Sequence, residues 1–157
     1  MTHARQRPFV EDRRGAVYVE FLIAFLPLLV LFFCVAQFAD LYAARFVINH
    51  AAYRAARAGA VVYPDDPEHY NAVSKDEEVE AAGYAILSAK RNIVSADIDI
   101  SHGGVHDRTP VEVRIDARVA CIFPIANRLM CGVLALEPTR RLEGSARMPA
   151  HAARYEY

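Results

Sequence analysis

Between Phe21 and Ala36 the chain reads FLIAFLPLLVLFFCVA, sixteen consecutive residues without a charged or strongly polar side chain. Ala16 to Val19 before it and Phe38 and Ala39 after it extend the segment to 24 residues, interrupted only by Glu20 and Gln37. As a helix rising 1.5 Å per residue the longer segment spans about 36 Å, enough to cross a hydrocarbon core of about 30 Å; the unbroken part alone reaches about 24 Å. A core helix of a soluble protein is seldom apolar on every side over such a length. A cleaved secretory signal has a shorter apolar region, and although Cys34-Val35-Ala36 is a tolerable cut, Glu20, Pro27 and the length of the run count against it. Phe32 and Phe33 stand where a lipoprotein signal has small residues, and Arg13-Arg14 lacks the rest of a twin-arginine signal. What remains is a retained membrane helix, with or without a trimmed leader.

Charge then gives the helix a direction. Arg5, Arg7, Arg13 and Arg14 precede the run against Glu11 and Asp12, and the positive-inside rule keeps such an N-terminus cytoplasmic and sends everything after about residue 40 across the membrane. Over the whole chain 18 basic and 19 acidic side chains leave a net charge of −1, so a domain-wide basic surface for nucleic acid is not expected. Without residues 1–15 the balance becomes 14 basic against 17 acidic.

Glu20 is the anomaly of the segment. A carboxylate deep in a membrane helix costs up to ~2.5–3.5 kcal/mol on insertion scales, less near the boundary, so an acid there is a functional candidate by default. It stands five positions after Gly15, in RRGAVYVEF, where basic residues end and apolar ones begin.

This arrangement, with the aliphatic run containing Pro27, resembles the N-terminal region of type IV pilin-like proteins and specifically the TadE/TadG-like pseudopilin family. The similarity continues through Tyr42-Ala43-Ala44-Arg45 and the alanine-rich Asn49 to Gly59, covering residues 13 to 59. The resemblance implies a minor pseudopilin of a Tad (tight adherence, Flp-type) pilus system, in the bacterial inner membrane with a periplasmic or extracellular head. It implies a prepilin peptidase cutting between Gly15 and Ala16, and an assembly role for Glu20 and Phe21. Glycine suits such a cut because it has no side chain and little helical preference, leaving an accessible extended backbone. The new α-amino group of Ala16 would be a cation that Glu20 could meet, on its own chain or a neighbour's. Glu20 snorkelling to headgroups is the simpler alternative. Pro27 either loosens the helix for packing in an assembly or is a tolerated membrane proline. Implied partners are other pilins or pseudopilins, the prepilin peptidase, the inner-membrane assembly platform and the lipid bilayer. The contrasting expectation is an uncleaved single-pass envelope protein with a periplasmic binding domain.

Beyond the membrane, Asp40 to Gly59 contains no proline, and Leu41, Ala44, Ile48, Ala52, Ala55 and Gly59 recur at spacings of three and four, opposite His50, Arg54 and Arg57. One helix of about forty residues is therefore expected to end at Gly59 as a C-cap, its small-residue stripe packed on its own domain or on another subunit. Three regions follow: residues 1–15 as leader, 16–59 as helix and 60–157 as exported head.

Pro64-Asp65-Asp66-Pro67 breaks the helix, and Ser74-Lys75-Asp76-Glu77 fits a capping box opening a second helix to about Asn92, with Val79, Ala82, Ile86 and Ala89 inward. The acids at its start and Lys90 and Arg91 at its end suit the helix dipole and form a solvated face. The period then changes to two: Val94, Ala96, Ile98 and Ile100 in one segment and Val111, Val113, Ile115, Ala117 and Val119 in another alternate with polar residues, and Leu142, Gly144, Ala146 and Met148 do so more weakly. The predicted class is α+β, a pilin-like long helix packed on a small antiparallel sheet with a second helix.

Cys121 and Cys131 fall in the exported region, where oxidising surroundings favour a bridge contributing just under ~3 kcal/mol if unstrained. Cys34 reads as an apolar residue of the membrane helix. His102-x3-His106-Asp107 has metal-like spacing but lies in a glycine-bearing loop without a cysteine. No nucleophile elbow, P-loop, dinucleotide fingerprint or His-Glu-x-x-His is present, so no catalytic residue, cofactor or metal is expected.

Overall fold

The apolar run and the amphipathic stripe belong to one continuous helix, α1, spanning Arg14–Val62 in a computed structural model that describes residues 14–64, 74–102, 109–123, 125–131 and 139–149. Its two halves have different surroundings. Gly15 to Leu28 is exposed on every side, and none of the most apolar window is buried, which makes this half a candidate membrane span. From Gln37 onward the helix is covered on one face by α2 (Lys75–Leu87) and by a sheet of β1 (Ile93–Ser101), β2 (Val111–Ala120) and β3 (Thr139–Met148), with α3 (Ala126–Met130) between β2 and β3. The class is α+β with a long N-terminal helix.

The sheet is antiparallel in the order β1-β2-β3. Val111, Val113, Ile115, Ala117 and Val119 of the central strand face α1 and are buried, as their alternation requires. They meet the alanine-rich face of the helix, where Ala44, Ile48, Ala51, Ala52, Ala55 and Ala56 are all fully buried. Small side chains permit close approach, and it is close: a Cβ at Gly144 of β3 would lie 2.8 Å from both Ile48 Cγ2 and Asn49 Oδ1. The stripe packs on the chain's own head, and His50, Arg54 and Arg57 lie exposed on the other side.

Four details differ from the sequence expectation. The helix runs past Gly59 to Val62, with Tyr63 N–H donating to Gly59 O (3.0 Å). Gly59 serves proximity instead of a cap: a Cβ there would lie 2.9 Å from Val111 Cγ1. The second helix has the expected capping box, Glu77 N–H to Ser74 Oγ (3.2 Å) and Ser74 N–H to Glu77 Oε2 (3.3 Å), but ends at Leu87, because residues 88–92 turn to deliver Lys90 and Asn92 to α1. Its buried line is Val79, Gly83 and Leu87, with Ala82 and Ile86 half-buried and Ala89 exposed beyond its end. In β1 a register shift between Ile93 and Ser95 makes Val94 an extra residue, 62% exposed, while Ile93 turns towards the core.

The outer face of the sheet is charged. Asp116 stands directly across from Asp97 on β1 and Glu143 on β3, an unfavourable alignment of acids. Arg141 resolves it diagonally, its guanidinium gripping both Asp116 oxygens through Nε (3.0 Å) and Nη2 (2.9 Å). That hydrogen bond, aided by the charge of Arg141, holds the Asp116 carboxyl below its ordinary range. A carboxyl whose folded value is lowered stabilises the fold above its unfolded value, about 3.9, and loses that contribution as pH falls through the folded one. Arg141→Gln should therefore lower the urea midpoint at pH 7 by a small amount, with the difference from wild type shrinking as pH is taken below about 4. A difference independent of pH would assign the effect to packing instead.

Candidate assembly helix

The residues marked by sequence as functional lie on the bare end of α1. Gly15, Ala16, Glu20 and Phe21 are all exposed, and among the described residues no atom outside the local helix comes within 4 Å of a Cβ built on Gly15. The described helix already includes Arg14 and Gly15, so the peptide bond after Gly15 is helical instead of extended.

Glu20 lies one turn beyond Ala16, on the same face, about 6 Å along the axis. Together they border a shallow surface depression with Gly15, Val19, Ile23 and Ala24, almost wholly apolar in lining. Among the described residues Glu20 has no ion-pair partner. Phe21 stacks on Phe25 one turn later, ring centroids 5.2 Å apart. Pro27 is inside the helix and leaves the carbonyl of Ile23 without its regular amide partner. Cys34 is a half-buried free thiol further along the span.

A second exposed face continues towards the head. Phe38, Tyr42 and Phe46 follow at intervals of four, 61%, 67% and 71% exposed, with Phe38 and Tyr42 stacked at 6.5 Å. Opposite them the helix is tied to the head by groups that sequence patterning did not mark. Asp40 accepts from Lys90 Nζ at Oδ1 (2.8 Å) and from Asn92 Nδ2 at Oδ2 (2.6 Å), and fully buried Gln37 accepts from Phe123 N–H at Oε1 (3.1 Å). At the far end Tyr63 donates its hydroxyl to Asp76 Oδ1 (2.6 Å) and stacks on His102 at 3.9 Å. Burial, and then the bond to Asp76, push the Tyr63 phenol well above its ordinary range, so it remains a donor. The exposed elongated face and the rigid anchoring suit a helix that carries contacts beyond its own chain.

Residues 15–57 match the family model described as TadE-like protein. This part of α1 is similar to TadE-like proteins. The match begins at Gly15, takes in Glu20 and the aromatic face, and ends at Arg57 before the helix does. No curated protein and no solved structure matches the chain.

In the head, Cys121 and Cys131 are joined by a disulfide, their Cα atoms 6.6 Å apart, within the range such a bond spans. The bridge encloses α3, an element that residue periodicity did not indicate. Of the His102-x3-His106-Asp107 set, His102 is in contact with Tyr63 and 3.6 Å from Asp76, whereas His106 and Asp107 lie outside the described residues, as do residues 1–13 of the expected leader.

Proposed function

We propose that the protein is a minor pseudopilin of a Tad-type pilus, acting in pilus assembly by inserting its N-terminal helix laterally among those of other pilins while its head makes specific contacts outside the bilayer. The observation that carries this reading is the coincidence of the TadE-like segment with a helix that, from Gly15 to Leu28, is exposed on every side among the described residues. From Ala16 to Ala36 the helix is about 30 Å long, the thickness of a hydrocarbon core. A prepilin peptidase of the inner membrane cuts after Gly15 on the cytoplasmic side, and the ammonium of Ala16 is then paired by Glu20 of an adjacent subunit. The role is structural, with no catalytic centre, metal or cofactor.

The exposed Phe38, Tyr42 and Phe46 face extends the same contact surface above the membrane. A photo-crosslinking side chain at Tyr42, in cells producing the pilus machinery, should give adducts with pilin subunits. One at Ile48, which is fully buried against the head, should give none. Adducts absent at both positions would remove the lateral-packing role.

The continuous helix through Gly15 favours one second reading, an uncleaved single-pass envelope protein whose head is a binding domain. The two differ in the N-terminus of the mature chain.

A further inference from the structure

The disulfide-closed segment from Cys121 to Cys131 touches α1 at an unusual level. Phe123 packs its ring against Phe33 (centroids 6.4 Å apart) and donates its amide to Gln37. If the hydrocarbon core begins near Ala16, about twenty helical residues carry the chain through it, so Phe33 lies inside the boundary and Gln37 at it. Whatever is held against these two residues is held at the membrane surface.

The segment's composition is wrong for a loop in water. Ile122, Ile125 and Leu129 are 60%, 45% and 61% exposed, the last on the short helix α3 and Ile125 immediately before it. Ile125 also adopts φ 69° and ψ −54°, a left-handed conformation that a β-branched residue rarely takes and that costs about 1–3 kcal/mol. Buried Ala126 and the bridge to Cys121 fasten the segment to the head. The exposed Arg128 stands between Ile125 and Leu129 in sequence, a cation of the kind that reaches phosphate headgroups.

We propose that the segment closed by the Cys121–Cys131 bridge carries an interfacial foot: Ile122, Ile125 and Leu129 insert into the leaflet on the head's side of the membrane, fixing the height and tilt of the head relative to the bilayer. The proposal rests on the reading that α1 spans the membrane. Continuity with that span selects lipid over a second protein copy, because the foot meets α1 where the lipid begins.

The chain contains no tryptophan, so one introduced indole is a unique reporter. The full chain carrying Leu129→Trp, and separately Ile122→Trp in case one substitution disturbs folding, is reconstituted into phosphatidylcholine–phosphatidylglycerol vesicles. Lipids brominated near the headgroup should cause a several-fold loss of indole emission, while aqueous iodide has little effect. Ser145→Trp, on the outer face of the sheet, should behave oppositely, and Phe25→Trp should be quenched by lipids brominated deep in the chains. If both foot variants respond like Ser145→Trp while Phe25→Trp is still quenched by lipid, the foot is overturned and the span stands. Protection from iodide without lipid quenching would mean that protein covers the patch, which also overturns it. Loss of lipid quenching at Phe25→Trp removes the span and the foot together.

Discussion

Replacing Glu20 with alanine is expected to leave the protein in the membrane and to remove it from pilus assembly. Deleting a carboxylate from an apolar helix makes insertion easier, so membrane levels should hold or rise. Assembly changes in the opposite sense, because the ammonium of Ala16 on a neighbouring helix would enter the packed bundle without a counter-charge. Breaking a buried ion pair by removing one partner costs about 3–5 kcal/mol, and even the lower figure reduces an association constant more than a hundredfold. The readout is recovery of the protein with pilin subunits after chemical crosslinking, compared with its total amount in membranes. Glu20→Asp, which keeps the charge on a shorter stem, should retain part of the association. Equal recovery of wild type and Glu20→Ala would withdraw the role assigned to this carboxylate and leave it as a snorkelling acid.

Asp40→Ala should give the largest loss of stability, because one side chain carries the junction between helix and head. It leaves the Lys90 ammonium and the Asn92 amide without their acceptors, and Asn92 Oδ1 already has no partner among the described residues. Each orphaned polar group costs about 1–3 kcal/mol when buried. With the Asp40 and Lys90 side chains each 19% exposed, water recovers part of this, and a total near 2 kcal/mol is expected. Asp40→Asn keeps an oxygen for Asn92 and loses the charge opposite Lys90, so its effect should be about half. Denaturant unfolding of the head in detergent, followed by near-ultraviolet circular dichroism, measures both. If neither variant moves the midpoint, the junction is held by the apolar contacts alone.

Much of the architecture is legible in the residues because burial is periodic. The central strand alternates cleanly from Val111 to Val119, and the helix stripe from Leu41 to Ala55 keeps its spacing, so both faces are found where patterning puts them. The misreadings occur where backbone proximity decides. Gly83 carries no hydropathic signal, yet a Cβ there would lie 2.8 Å from Ile98 Cδ1, and this close approach turns α2 onto Val79, Gly83 and Leu87. The extra residue in β1 exchanges Val94 for Ile93, while Ala96, Ile98 and Ile100 keep the inward side, because a bulge shifts the alternation only ahead of Ser95, which the sequence pattern alone does not reveal.

The candidate site divides in the same way. Gly15, Glu20 and Phe21 are read from local order, basic then glycine then acid in an apolar run, and they lie on the Gly15 to Leu28 stretch of the helix, which no other described element covers. Gln37 and Asp40 look in sequence like the polar end of a membrane span. Their partners, Phe123, Lys90 and Asn92, are 50 to 86 residues away, so only the tertiary fold reveals them as anchors.

The most direct test of the pseudopilin reading is the N-terminus of the chain recovered from membranes that contain the cognate prepilin peptidase, determined by intact mass and N-terminal sequencing. The expected mature chain begins at Ala16 and keeps the whole apolar helix. A membrane-embedded chain that still carries residues 1–15 in the presence of an active peptidase would contradict it, and would leave the uncleaved envelope protein in its place.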